Sequence, residues 1–274
     1  MLVDLDAAVL ENRRLSEHYS VLVLDAPAIA ATSRPGQFVM LKPSKGIDPL
    51  LRRPFSVFEV LPDAEGRPTA ISILNKRVGT GTRLLYDAEP GTTIRCLGPL
   101  GRAFDAAPPP AHAWMVAGGV GLAPFVTLAE RFRALGTTAT LFYGARTASE
   151  LYYVDVFEAL GVRVELATED GTLGATGRVT VPLRAALASR PEISEVRLYV
   201  CGPTPMMHAV ADLARHHRRP CEVSLEQVMG CGLGGCYSCV VPTAVPGRNA
   251  HHVRSCTDGP VFDASRIVWH ALGH

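Results

Sequence analysis

The sequence predicts a mixed β and α/β protein: an N-terminal antiparallel β-barrel, a parallel-sheet α/β domain, and a small cysteine-rich C-terminal domain. Three observations carry that prediction. Up to about residue 105 the chain runs in short segments rich in β-branched and aromatic residues, bounded by Gly and Pro. From Trp114 it alternates buried strand-like runs with helical periodicity. Beyond residue 222, four of the seven cysteines gather in a stretch with little helical periodicity.

The barrel strands are expected at 19–24, 37–41, 55–60 and 70–74, each apolar and closed by turn residues. In the second region, strands are expected at 114–117, 139–143, 162–167 and 196–201. Helices fall at 123–135, 151–160, 181–188 and 205–216, and a sheet so wound carries helices on both faces. The run Pro108, Pro109, Pro110 marks the first boundary, so the expected domains are 1–106, 111–222 and 223–274. A chain of 274 residues is long enough for two ordinary domains and an appendage.

Composition narrows the function. Hydrophobic residues make up 47% and charged residues 19%, enough for a buried core. Net charge is +1 with no long basic block, so no nucleic-acid footprint is expected. The uncharged run 113–129 is interrupted by Gly118, Gly119, Gly121 and Pro124 and is shorter than the ~20 residues of a bilayer span. The N-terminus carries Asp4 and Asp6 rather than cations, so no secretory signal is expected and the compartment is cytoplasmic. In a reducing compartment, clustered cysteines bind metal or do chemistry more often than they form disulfides.

Cys231, Cys236 and Cys239 follow a Cys-x4-Cys-x2-Cys pattern, and sixteen residues separate Cys239 from Cys256. The first two intervals match the plant-type [2Fe-2S] ligand run. Gly232, Gly234 and Gly235 let the chain curl around such a cluster and bring amide donors to its sulfurs. Leu233 and Tyr237 are expected to shield it from water. A four-cysteine zinc site is the alternative, but it is usually built from two Cys-x2-Cys knuckles and only one is present. Cys96, Cys201 and Cys221 have no partner at ligand spacing and read as small buried residues.

Two further segments have nucleotide chemistry. Gly118, Gly119 and Gly121 stand between a strand and a helix start, where free amides and the helix dipole favour a phosphate. Cys201, Gly202 and Pro203 end a second strand in the same way. Two such turns at carboxyl ends of parallel strands form a nucleotide crevice. In the barrel, Arg53, Pro54, Phe55 and Ser56 combine a bidentate cation, a rigid φ, an aromatic face and a hydroxyl. The segment 75–82, with Gly79, Gly81 and Thr82, suits a second anion contact.

These motifs, with the 98–101 and 256–262 segments, resemble the ferredoxin reductase-type flavoproteins. The tail narrows the resemblance to electron transfer subunits of type B dihydroorotate dehydrogenases. The resemblance implies FAD on the barrel, NAD on a parallel-sheet nucleotide-binding domain, and a [2Fe-2S] cluster in a small C-terminal iron-sulfur domain. By position, Arg53 would hold the FAD diphosphate and Ser56 would sit near flavin N5. Leu74, Asn75 and Lys76 would line the flavin or its ribityl chain, and Gly81 and Thr82 would contact phosphate. Cys231, Cys236, Cys239 and Cys256 would ligate iron. Where this chain has Phe55, the family commonly carries an aliphatic residue.

No Ser-His-Asp or paired-carboxylate arrangement is present. His216, His217, His251 and His252 read as solvated pairs and Glu226 as a structural carboxylate, which fits chemistry carried by cofactors. The resemblance further implies a partner, the FMN-containing dihydroorotate dehydrogenase catalytic subunit, in a heterotetramer. Two alternatives stay open: a ferredoxin oxidoreductase or hydrogenase-type flavoprotein subunit, and a zinc-stapled nucleotide-binding module. NADP also stays open through Arg146, placed after the second parallel strand.

Overall fold

The computed structural model describes residues 2–189, 195–244 and 251–272. The N-terminal half-barrel is built from β1 (Val3–Arg14), β2 (Tyr19–Asp25), β3 (Phe38–Lys42), β4 (Arg53–Ser56), β5 (Glu59–Pro62), β6 (Pro68–Lys76) and β7 (Thr93–Leu100). Two short helices accompany it, α1 (Pro27–Ala30) and α2 (Thr80–Tyr86). The strands form one antiparallel sheet in the order β4-β3-β7-β1-β2-β6-β5. Inside it, Val9, Leu22, Leu24, Val39, Leu41 and Ile73 form a closed apolar core.

The strand expected at 55–60 is divided. The Val57 amide bonds the Gln37 carbonyl beside β3, and the Phe58 amide bonds Ser72 on β6. The two residues therefore cross from one end of the strand order to the other and draw the sheet edges together, which curls the sheet. The helix expected over 151–160 is confined to Val154–Ala159, because Tyr153, its N-cap, takes the left-handed conformation with φ 62° and keeps residues before it out of the helix. His216 closes the helix Thr204–His216, as expected, and its ring meets His217 edge-on.

The second domain is doubly wound. Its elements are β8 (His112–Gly118), α3 (Phe125–Leu135), β9 (Ala139–Ala145), α4 (Val154–Ala159), β10 (Arg163–Thr168), β11 (Ala175–Thr176), α5 (Thr180–Ser189), β12 (Val196–Cys201), α6 (Thr204–His216) and β13 (Cys221–Ser224). Their order is β11-β10-β9-β8-β12-β13, all parallel. The order reverses between β8 and β12, and that switch point opens a crevice at the carboxyl ends of the strands. Gly136, with φ 70°, ends α3 in a left-handed cap.

The tail contributes β14 (Val240–Thr243), β15 (His251–Arg254), α7 (Ser255–Asp258) and β16 (Val261–Asp263). β13 straddles residue 222, and β16 returns to pair with it antiparallel as the outer strand of the nucleotide sheet. Leu225, Val241, Ala264 and Ile267 from this region fill the core under Trp114 and Val200. Another part of the tail packs on the half-barrel, where Met229, Cys239 and Cys256 meet Phe38, Met40, Leu97 and Leu100. Each fully buried apolar side chain here contributes about 1.5–3 kcal/mol, so the tail is held at both ends by its own packing. Among the described residues, no helix is long and apolar enough to cross a membrane.

Candidate functional site

The crevice is made by two touching turns. A Cβ on Gly121 would lie 2.2 Å from the Cys201 carbonyl oxygen, and one on Gly202 would lie 3.1 Å from the Gly118 nitrogen. On Gly118 it would meet the Met206 sulfur at 2.7 Å and Pro203 at 3.1 Å. The structure therefore brings Gly118, Gly121, Cys201, Gly202 and Pro203 together, and only glycine permits that approach. Gly119 has φ +55° and faces the half-barrel, where Tyr19 is its nearest neighbour. Cys201 is buried at the end of β12, and that burial drives its thiol well above the ordinary range.

On the half-barrel, the β4 segment carries the cationic part of the site. Arg53 uses Nη1 on the carbonyls of Leu51 and Arg52, at 3.0 and 3.1 Å. Nothing else among the described residues bonds its guanidinium, so Nε and Nη2 remain for an anion. Gly81 is buried beside it, and a Cβ there would stand 3.5 Å from Nε. The Thr82 side chain is engaged at the helix start, which leaves its amide for a ligand. Its hydroxyl accepts from the amides of Val78 and Gly79 at 2.9 Å and donates to the Gly79 carbonyl, so it caps α2. The first-turn amides of α2, those of Gly81 and Thr82 included, lack helical acceptors.

Asn75 is fully buried on β6 and donates to the Thr82 carbonyl at 3.0 Å, while its Oδ1 has no partner among the described residues. Leu74 is buried alongside, and Pro54, Phe55 and Ser56 are half-buried. Lys76 places its ammonium 5.0 Å from the Tyr19 ring centroid. The unpaired Asn75 oxygen, the two unbonded guanidinium nitrogens and the glycine beside them suit a ligand with hydroxyls and a diphosphate, which FAD provides.

Glu226, just beyond β13, lies within electrostatic reach of Cys201 and Lys76. Solvent reaches its side chain, yet the surrounding protein pushes its carboxyl above the usual range, with Lys76 pulling the other way. Arg146 is exposed and pairs with Glu150 at 3.0 Å.

The cysteine loop lies against the outer face of the half-barrel. Gly232 and Gly234 take φ values of +73° and +81°, and a Cβ on Gly232 would strike Met40 at 2.6 Å. Gly235 takes no such angle, so the curl is made by two glycines and by Tyr237, with φ 56°. The Leu233 amide donates to Cys231 Sγ at 3.3 Å, and the Cys256 amide to Cys239 Sγ at 3.5 Å. Ser238, which sequence reasoning passed over, lies 3.2 Å from Cys236 Sγ and accepts from the Gly230 amide at 2.8 Å.

As free thiols, Cys236 is drawn down to about 6 by the Ser238 hydrogen bonds and Cys231, whereas burial pushes Cys256 up to about 12. No three described His, Cys, Asp or Glu side chains converge as a single ion requires. The thiols of Cys231 and Cys236 are neighbours, as are those of Cys239 and Cys256, a four-thiol set of the kind that holds a [2Fe-2S] cluster. Leu233 and Tyr237 do not cover the loop from within. They are 54% and 63% exposed, because the buried side of the loop is filled by Met40 and Leu100.

Comparison with known proteins agrees with this geometry. Residues 226–268 match the iron-sulfur cluster binding domain of dihydroorotate dehydrogenase B, and residues 115–212 match the oxidoreductase NAD-binding domain. The dihydroorotate dehydrogenase B (NAD(+)) electron transfer subunit of Geobacillus kaustophilus is 37% identical over 262 residues, 95% of this chain and 96% of its own length. That of Desulforamulus reducens is 36% identical over 265 residues, 96% and 98% of the two chains.

The chain also superposes on a solved NADH-dependent reduced ferredoxin-NADP oxidoreductase with a TM-score of 0.82 and 27% identity, covering 97% of this chain and 91% of that one. A ferredoxin NADP+ reductase from Neisseria gonorrhoeae, solved with FAD and NADP, shares the fold at a TM-score of 0.65 and 18% identity, over 78% and 91%. FAD, NAD and a [2Fe-2S] cluster are thus the cofactors of this fold and these domains. With curated relatives matched over nearly their whole length and a tail matching their iron-sulfur domain, this chain belongs to the family of dihydroorotate dehydrogenase B electron transfer subunits.

Proposed function

We propose that the chain carries electrons between NAD(H) and the FMN of a separate dihydroorotate dehydrogenase catalytic subunit, as part of a heterotetramer in pyrimidine biosynthesis. One relationship carries the reading. β3 bears the cysteine loop on Met40, and the same strand pairs with β4, where Pro54 stands opposite Met40 and Arg53 opposite Leu41. Cluster ligands and flavin ligands are therefore one strand apart, as close coupling between them requires.

Within this reading, Arg53 and the amides of Gly81 and Thr82 bind the FAD diphosphate, and Asn75 Oδ1 accepts from the ribityl chain or ring. Pro54, Phe55, Ser56, Leu74 and Lys76 frame the flavin. The turns of Gly118, Gly119 and Gly121 and of Cys201, Gly202 and Pro203 seat the NAD, and Glu226 can hold a proton at the crevice. Cys231, Cys236, Cys239 and Cys256 ligate the cluster. With these groups bound, FAD exchanges a hydride with nicotinamide and single electrons with the iron-sulfur centre. Leu233 and Tyr237, exposed on the cysteine loop, form an apolar patch for the catalytic subunit to cover.

The test is co-purification with a candidate catalytic subunit. Dihydroorotate-dependent NAD reduction should appear in the complex and vanish with Cys236→Ser; activity that persists in that variant contradicts the relay. The likeness to a ferredoxin-linked oxidoreductase favours a second reading, with a ferredoxin as partner. Ferredoxin reduction without any dihydroorotate dependence in the complex would select it.

A further inference from the structure

Tyr19 opens β2, is 2% exposed, and carries a hydroxyl with no hydrogen-bond partner among the described residues. Leaving a buried hydroxyl unpaired costs about 1–3 kcal/mol, so its position calls for a reason. The ring is held from several sides. Lys76 stands directly opposite on β6 and sets its ammonium over the ring. The Tyr152 ring packs at 5.0 Å between centroids, itself fixed by a 2.9 Å hydrogen bond from its hydroxyl to Ser16. The Tyr19 hydroxyl therefore cannot swing out to water without breaking that packing.

What it reaches is the first turn of the nucleotide domain. A Cβ on Gly119 would lie 4.0 Å from the Tyr19 oxygen, its nearest contact among the described residues outside its own turn. Glycine at φ +55° thus keeps any side chain off the face of the turn that the sealed hydroxyl approaches. The half-barrel sends a donor across the domain boundary to the turn where the dinucleotide binds.

We infer that the Tyr19 hydroxyl is a hydrogen-bond partner of the nicotinamide dinucleotide seated on the turn of residues 118–121. The contact rests on the reading of that turn as the NAD site. It makes the half-barrel a direct participant in dinucleotide recognition, so the two domains grip one ligand between them. The hydroxyl has no native bond to lose, and its removal separates ligand binding from folding.

The experiment measures NAD+ binding to the oxidised holoprotein by calorimetry, with flavin content and thermal midpoint, for wild type, Tyr19→Phe and Tyr152→Phe. Tyr19→Phe is expected to weaken NAD+ binding three- to tenfold, the worth of one hydrogen bond, with unchanged flavin content. Its ligand-free thermal midpoint should stay level or rise, since an unpaired buried hydroxyl is gone. Tyr152→Phe should lower the midpoint and leave NAD+ affinity alone. Unchanged NAD+ affinity in Tyr19→Phe overturns the inference, as does a loss of flavin, which would assign the hydroxyl to FAD. If wild type fails to bind NAD+, the crevice reading itself falls and the inference falls with it.

Discussion

Glu222 on β13 stands directly opposite Asp263 on β16, so the strand tying the cysteine tail to the nucleotide sheet is joined across two carboxylates. Glu222 accepts the Asp105 amide at 3.0 Å, and Arg197 lies 3.5 Å from the Asp105 carboxylate. Burial pushes the Glu222 carboxyl up to about 7, with Asp105 and Asp263 adding to the rise while the Asp105 amide and Arg197 oppose it.

A group whose folded pKa is raised stabilises the fold in full below its ordinary range and loses that contribution as pH climbs through the folded value. Stability should therefore fall between about pH 5 and pH 8, by as much as about 3 kcal/mol. Glu222→Gln should flatten the slope and be the more stable protein at pH 8. Urea unfolding of both proteins across this range is the check, and parallel pH profiles would refute the assignment.

Substituting a cluster ligand should separate iron from flavin. Cys256→Ser and Cys236→Ser are each expected to lose the cluster's visible absorbance and most bound iron while retaining FAD, because the Arg53 and Asn75 contacts lie on other strands. Iron and flavin assays on anaerobically purified protein decide it. Wild-type iron content in either variant would remove that cysteine from the ligand set.

Arg53→Ala should weaken FAD binding by roughly 10- to 100-fold, the range for a charge-assisted hydrogen bond. Arg53→Lys should recover only part of the loss, since an ammonium lacks the planar fork. Flavin retained after gel filtration gives the readout.

Gly121→Ala sets a methyl 2.2 Å from the Cys201 carbonyl, backbone against side chain, with no flexible group to yield. The two turns must part, at a cost of about 1–3 kcal/mol or more. A lower thermal midpoint together with weaker NAD+ binding is the expected result.

Leu233→Asp should weaken capture of the catalytic subunit at least tenfold, because a charge would then sit in an apolar patch that the partner dries. Iron and flavin content should match wild type, since the Leu233 side chain is exposed. Co-elution at fixed subunit concentration measures it.

Much of the fold was legible because its signals are local. The strands 139–145 and 196–201 are largely apolar runs closed by turns, and buried parallel strands leave that trace. β1 was passed over although Val3, Leu5 and Ala7 alternate with Asp4 and Asp6, a period-2 pattern of a strand with one wet face. The break at Val57 and Phe58 was not legible, because its cause lies in Gln37 and Ser72, distant in sequence.

At the site, glycine positions betrayed both turns and the cysteine loop, since close backbone approach admits no other residue. The outward facing of Leu233 and Tyr237 was hidden: a loop's sequence does not say which side its neighbours occupy. Tyr19 was equally hidden, as its neighbour Gly119 belongs to another domain. Thr82 could have been read as a cap from its place three residues beyond Gly79.

β16 has a mechanical consequence. The Arg102 amide, just past the half-barrel, bonds Gly259, Leu225 bonds Pro260, and Val261–Asp263 then extends the nucleotide sheet. One short ribbon is sewn into both lobes a few residues from Cys256. Rotating either lobe against the other would have to break these backbone bonds, so the seam couples the lobes beside the cysteine loop.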